Sequence, residues 1–385
     1  MAAQPKPDFI NGMHTDRYVL YTDLRERWPV YYDERMRAWI VSRFDDVMRV
    51  MRDYETYSSR AMGDLVRFPL ISDDPPRHTQ LRTLVNRAFT STRLKSLEGD
   101  VRRLARQLIE AFEDSEVEIV ERLTIPLPVV VISWLLGVAE EDREQFKRWS
   151  DAITGLLDQP TDEERMGTAG KMYQYFLKEV EKRREQPSDD LISAVLKAEE
   201  RDMTLSDQEV VSFCLLLLVA GNETTTNLLG NLLGILSREP HLWTRLREDR
   251  SLLEDAIEEA LRLESPVQFV FRKTTRDTQL GGVGIPADAT VLTSFGSANR
   301  DESEFEEPDR FIIQRERSRH IAFGYGAHFC LGAPLARLES RLAMDSLLDR
   351  FDSIAPGSGD SVRLRSDLLY GYSELPLRFG TDSPH

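Results

Sequence analysis

The sequence predicts a mainly α fold with a smaller β portion. Three observations carry this reading. Apolar residues recur at spacings of three and four over much of the chain from Arg77 to Ser237, and again in LLEDAIEEALRLESP. After Pro266 the texture changes to short strand-like pieces separated by turn residues. No repeat and no linker rich in Gly, Ser or Pro divides the 385 residues, so 1–385 is expected to be a single domain.

The elements follow in order. VYYD (Val30 to Asp33) and AWIVS (Ala38 to Ser42) predict a hairpin around the charged turn ERMR. A helix follows, from about Phe44 to Arg52. Ser59 to Asp74 is irregular yet rich in Met, Phe and Leu, and an apolar loop of this kind suits a ligand wall. Arg77 to about Gln186 is mostly helical, and PSDD (Pro187 to Asp190) opens a further helix. SDQE (Ser206 to Glu209) predicts a capping box at the start of a long apolar helix that runs to about Ser237. Val270 to Leu292 reads as strands around GGVG and IPAD. APLARLESRLAMDSLLDRF is the last strong helix, and VRLRS to LPLRF is again strand-like.

Composition bounds the function. Sixty-six acids against fifty bases give a net charge of −16, which repels nucleic acid and anionic lipid. Neither is expected as a partner. The two cysteines, Cys214 and Cys330, cannot form a disulfide framework. MAAQPKPDFINGMH lacks the apolar core of a signal peptide. No uninterrupted apolar run approaches the roughly 18 residues of a membrane helix. A soluble cytoplasmic protein is expected.

Two stretches carry chemistry. In FGYGAHFCLG (Phe323 to Gly332), Gly324 and Gly326 permit backbone angles that other residues avoid. Cys330 follows, just ahead of a helix whose free N–H groups and dipole favour thiolate over thiol. Zinc would need about four ligands, and only His328 is near. A nucleophile would need a base, and none is identified. A lone thiolate on a Gly-rich loop suits the single protein bond to a haem iron. A cysteine buried in a tight turn is the plain alternative. The second stretch is VAGNETTTN (Val219 to Asn227), polar residues inside an apolar helix. Gly221 lets a partner approach the backbone. Thr224 can donate to the carbonyl one turn back. Glu223 in apolar surroundings resists ionisation. A kinked core helix with a satisfied acid would read the same way.

Phe323, Gly326, Cys330 and Gly332 form F-x-x-G-x-x-x-C-x-G, which resembles the haem-binding signature of the cytochrome P450 family. E-x-x-R at Glu259 and Arg262, FEEPDRF around Arg310, AGNETT and DPPRHTQLR resemble further P450 segments in the expected order. The resemblance implies a bacterial-type P450 fold, with haem b between the long central helix and the cysteine-loop helix. It implies Cys330 as the axial cysteinate. His78, Arg82, Arg272 and His328 become propionate contacts, a task suited to guanidinium, with His320 structural. Phe323, Gly324, Gly332, Ala220, Gly221 and Thr224 lie against the cofactor. Glu223 and Thr224 become the proton relay, although the family more often has Asp at position 223. Glu259, Arg262 and Arg310 become a buried network bracing the cysteine loop; alone, Glu259 and Arg262 would read as a surface pair.

The implied reaction is monooxygenation of a lipophilic small molecule by dioxygen. Electrons are expected from a separate ferredoxin or flavodoxin with its NAD(P)H reductase, since the chain ends at His385 without a fused reductase. Arg337 and Arg341 are candidates for donor docking. The fold implies a pocket from Leu65 and Phe68 in the Met62 to Ile71 loop, Leu217 and Ala220, Val267 and Val270, and Leu369 and Tyr370, with Arg67 as a carboxylate anchor. A peroxygenase is the alternative enzyme, and a haem sensor without turnover the alternative class. The pair Glu223 and Thr224 argues against both.

Overall fold

The computed structural model describes residues 7–61, 68–89, 91–154, 162–202, 205–316 and 319–381. Helix accounts for 56% and strand for 14% of the chain, as the mainly α reading requires. The expected hairpin is present, with Val30–Asp33 paired antiparallel to Ala38–Val41. Its inner strand runs parallel to Thr290–Ser294, which pairs antiparallel with Phe269–Thr274. Tyr57–Ser58 closes the far edge of this five-stranded sheet. Strands more than 200 residues apart in sequence thus share one sheet, which fixes the loops between them.

The helix Asp207–Arg238 is the axis of the molecule. Its 32 residues span about 48 Å at 1.5 Å per residue. The capping box forms as read: the Ser206 hydroxyl accepts from the Glu209 N–H at 3.2 Å, and the Glu209 carboxylate accepts from the Ser206 N–H at 2.9 Å. Leu228, Leu229, Leu232, Leu233 and Leu236 are buried and join the main hydrophobic cluster. Helices Pro126–Leu135, Asp162–Glu185, Leu253–Leu263 and Ala333–Arg350 pack around this axis.

Polar groups also tie the axis to the chain's end. The Asn231 amide donates to the carbonyls of Glu264 and Tyr370 at 2.9 and 3.0 Å. Gly234 is required here, because a Cβ would meet the Tyr372 hydroxyl at 2.7 Å.

One segment departs from the sequence reading. Glu116–Glu118, inside the stretch expected to be mostly helical, is a strand in a second sheet with Pro376–Gly380 and Ser353–Pro356. Three residues carry too little pattern to reveal a strand, and their partner lies near the far end of the chain. Among the described residues, no helix is long and apolar enough to cross a membrane.

Candidate active site

Cys330 is presented by a loop that the backbone holds shut. Its N–H donates to the Phe323 carbonyl at 2.8 Å, and the Gly324 N–H donates to Ile321 at 2.8 Å. Gly324 and Gly326 both take positive φ, +70° and +72°. A Cβ on Gly326 would also press on the Met51 carbonyl at 3.1 Å. Burial pushes the free Cys330 thiol up, while the N–H groups of Gly332 and Ala333 and the charges of Arg82 and Arg337 pull it down. Burial wins. The helix-terminal donors expected from the sequence are in place and act in the expected direction, and burial, which the sequence could not show, opposes them.

His78, Arg82, Arg272 and His328 converge beside this loop. The His78 and His328 rings lie 4.1 Å apart, centroid to centroid. The His328 Nε2 is 2.9 Å from the Ser59 hydroxyl. Burial, then the charges of Arg272, His78 and Arg82, push His328 down to about 3. Burial likewise lowers His78, aided by Arg82 and Arg272 against Asp73 and Asp74. Arg272 is buried, and desolvation lowers it to about 10, opposed by Asp74.

Both ring nitrogens of His78 are buried and make no hydrogen bond. Among the described residues, no carboxylate lies within ion-pair distance of Arg82 or Arg272. Two arginines without an ion pair, beside an imidazole with both nitrogens unbonded, call for an anionic group that can also accept hydrogen bonds. Two carboxylates of a haem, beside a thiol, meet that demand, so the residues present fit this cofactor.

On the central helix, Leu217, Ala220, Gly221 and Thr224 share one face by their spacing of three and four. Val219 and Ala220 are exposed although the helix is otherwise apolar. The Thr224 hydroxyl donates to the Ala220 carbonyl at 2.7 Å, the back-bond anticipated from sequence. Beside it, burial alone raises Glu223 to about 7.

The pocket residues are brought together only in part. Val267 and Leu369 form a β-bridge, and the Gln268 and Tyr370 N–H groups donate to Leu368 and Pro266. Val270 shares a strand face with Arg272. Phe68 is exposed; Leu65 and Arg67 lie outside the described residues. Tyr370 is a correction. Its ring is buried between the guanidiniums of Arg17 and Arg363, at 4.3 and 4.2 Å, and meets Tyr18 edge-on. Alternation along the extended turn sends its side chain away from that of Leu369.

The bracing network also needs correction. Glu259 receives two hydrogen bonds from Arg262, both at 2.8 Å, with both side chains buried. The third member is Arg315, 3.1 Å from Glu259, and not Arg310. The Arg310 side chain is exposed and pairs with Glu307; only its carbonyl joins the network, accepting from Arg262 at 2.9 Å. Spacing alone cannot tell which arginine of such a coil turns inward. Arg262 also reaches the Asn299 carbonyl, and the Asn299 side chain accepts from the Ile321 N–H at the start of the cysteine loop.

Arg337 and Arg341 are not free docking cations, since Arg337 pairs with Glu258 and Arg341 with Glu98. Glu258 and Arg315 went unnoticed in the sequence. Their neighbours Glu259 and Arg310 matched a motif, and adjacent like charges look equivalent on paper.

The model of the family described as Cytochrome P450 matches residues 30–370. Cytochrome P450 109 of Bacillus spizizenii is 38% identical over 371 residues, covering 94% of this chain and 91% of that protein. 6-Deoxyerythronolide B hydroxylase of Saccharopolyspora erythraea is 36% identical over 393 residues, covering 96% and 97%. The crystal structure of CYP109E1 from Bacillus megaterium with corticosterone superposes with a TM-score of 0.89 at 39% identity, covering 95% of this chain and 99% of that one.

Proposed function

The chain belongs to the cytochrome P450 family of haem-thiolate, oxygen-incorporating oxidoreductases, and on that premise we propose how its own residues run the reaction. The whole chain acts as one catalytic domain in the cytoplasm. The Cys330 sulfur holds the haem b iron. His78, Arg82, Arg272 and His328 hold the propionates, and Phe323, Gly324, Gly332, Ala220 and Gly221 lie against the macrocycle. The bound haem supplies dioxygen activation and transfer of one oxygen atom to the substrate.

The protein's part is to place the substrate and meter protons. The observation that carries this reading is the pair Thr224 and Glu223. With its proton committed to the Ala220 carbonyl, the Thr224 oxygen keeps its lone pairs for a water or another donor. Glu223 has no hydrogen bond among the described residues and titrates near neutrality, so it can take a proton from solvent and release it toward Thr224. A peroxide-driven enzyme would not need that relay.

The substrate is a lipophilic small molecule placed against Leu217, Ala220, Val267, Val270 and Leu369, with Phe68 at the rim. One relative, CYP109E1, has been crystallised with corticosterone and with testosterone, and another is a 6-deoxyerythronolide B hydroxylase. These three compounds make the first panel. A separate ferredoxin or flavodoxin, reduced by NAD(P)H, delivers the electrons.

The test begins with the absorption of the reduced, carbon monoxide-treated protein. A strongly red-shifted Soret band is expected, followed by substrate-induced Soret shifts within the panel. Product from NADPH through a ferredoxin or flavodoxin system completes the reading. Turnover with hydrogen peroxide but none with the reductase system would make this a peroxygenase. Reductant never consumed with any ligand would make it a sensor.

A further inference from the structure

A second charge cluster lies beside the Glu259 network, centred on Glu258, for which no role was expected. Glu258 receives both arms of Arg337, Nε at 2.6 Å and Nη2 at 2.7 Å. It also faces the His320 Nε2 at 3.1 Å. The His320 Nδ1 accepts from the Ala322 N–H at 3.2 Å, which leaves Nε2 as the protonated nitrogen that donates to Glu258. His320 is almost fully buried, while the Arg337 side chain is 38% exposed.

The cluster touches the cysteine loop at both ends. The Arg337 guanidinium lies over the Phe323 ring, 4.6 Å from its centroid. The Phe323 carbonyl receives the Cys330 N–H. Arg337 rides on the helix Ala333–Arg350 that follows Cys330, and its charge is felt at the sulfur. An arginine this exposed, with no fixed partner, would spend its time in solvent, where its field at the sulfur is screened. A bidentate carboxylate removes that freedom.

We propose that Glu258 is a positioning residue for the Cys330 sulfur, acting through Arg337: it holds the guanidinium over Phe323, where its positive charge tunes the electron donation of the thiolate. This rests on the haem-thiolate reading above. A cation near a redox centre favours the reduced, more negative state. Releasing or removing it lowers the potential.

The test is a redox titration of the haem iron in the holoprotein, with the Soret position of the reduced carbon monoxide complex read alongside. Glu258→Ala and Arg337→Gln should each move the potential downward. The double variant should fall no lower than Arg337→Gln alone, because Glu258 has nothing to position once Arg337 is gone. Glu258→Gln, which keeps an acceptor for the Arg337 Nε, should recover part of the shift. It also serves if the alanine variant folds poorly.

A rise in Glu258→Ala would overturn the proposal, since the carboxylate would then act by its own charge. So would additive shifts in the double variant, or no shift at all. The wild-type carbon monoxide spectrum separates the two readings. Without its red-shifted band the haem-thiolate assignment itself falls. With the band present and the cycle failing, only the role of Glu258 falls.

Discussion

At position 224 a hydroxyl already donates its hydrogen bond to the Ala220 carbonyl before any substrate arrives, and the acid one residue earlier has no hydrogen-bond partner among the described residues. These two facts define different experiments. Thr224→Ala removes the acceptor without changing charge. Product formed per NADPH should fall by roughly 100-fold, the usual scale for losing a group that handles a proton. NADPH should still be consumed, with peroxide as its product. Comparing product and peroxide yields checks this. Glu223 should set a pH dependence instead. Burial holds its carboxyl at about 7, so it is protonated below that pH and ionised above. A donor is lost on ionisation, so product per NADPH should decline as pH rises through about 7 in the wild type. Glu223→Gln should be low and flat over the same range. A wild-type profile without an inflection there would remove Glu223 from the relay.

At the scale of elements, the cysteine loop is held from behind by buried charge, and the two nearby arginines separate what is structural from what is merely close. Arg315 reaches Glu259, whereas Arg310 points to solvent. Arg310→Ala should change stability by no more than about 0.5 kcal/mol, as exposed pairs usually do. Arg315→Ala should cost about 1–3 kcal/mol, because Glu259 loses one donor but keeps Arg262. Arg262→Ala, which takes two donors from the buried Glu259 carboxylate and also leaves the Asn299, Pro308 and Arg310 carbonyls without their shared donor, should cost about 3–5 kcal/mol. Urea midpoints of the three variants order them directly. The same contrast shows what was legible in the sequence. Local periodicity and caps were readable, so the hairpin, the helix Phe44–Arg52 and the Ser206 capping box formed where expected. The cysteine loop was readable through its resemblance to a family signature, because its residues alone left a cysteine buried in a tight turn as an equal reading. Hidden were features decided by distant partners: the strand at Glu116–Glu118, the inward turn of Arg315, and the Tyr370 ring drawn between Arg17 and Arg363. The sulfur's balance was hidden for a similar reason, because burial is a property of the whole fold.

For the molecule as a whole, burying acids ties global stability to pH with opposite signs at different sites. Glu258, despite burial, is brought down to about 2 by hydrogen bonds and charge from Arg337 and His320. Its contribution is present above the ordinary carboxylate value of 4.5 and is lost as pH falls through about 2. Glu339 works the other way. It sits on the buried face of the helix Ala333–Arg350, one carboxyl oxygen has no partner among the described residues, and burial raises it to about 8. The folded state therefore keeps a proton that the unfolded chain releases near 4.5, so the Glu339 contribution to stability falls as pH rises from about 4.5 to about 8. Glu223 adds a smaller term of the same sign up to about 7. Glu339→Gln isolates the larger one, since the amide is neutral at every pH and nearly the same size. Urea midpoints of wild type and variant should run parallel below about pH 4.5. Above that, the wild type should decline more steeply, and the variant should be the more stable protein near pH 8. If the two curves stay parallel throughout, Glu339 is ionised in the fold, and a compensating donor must reach its carboxylate inside the core.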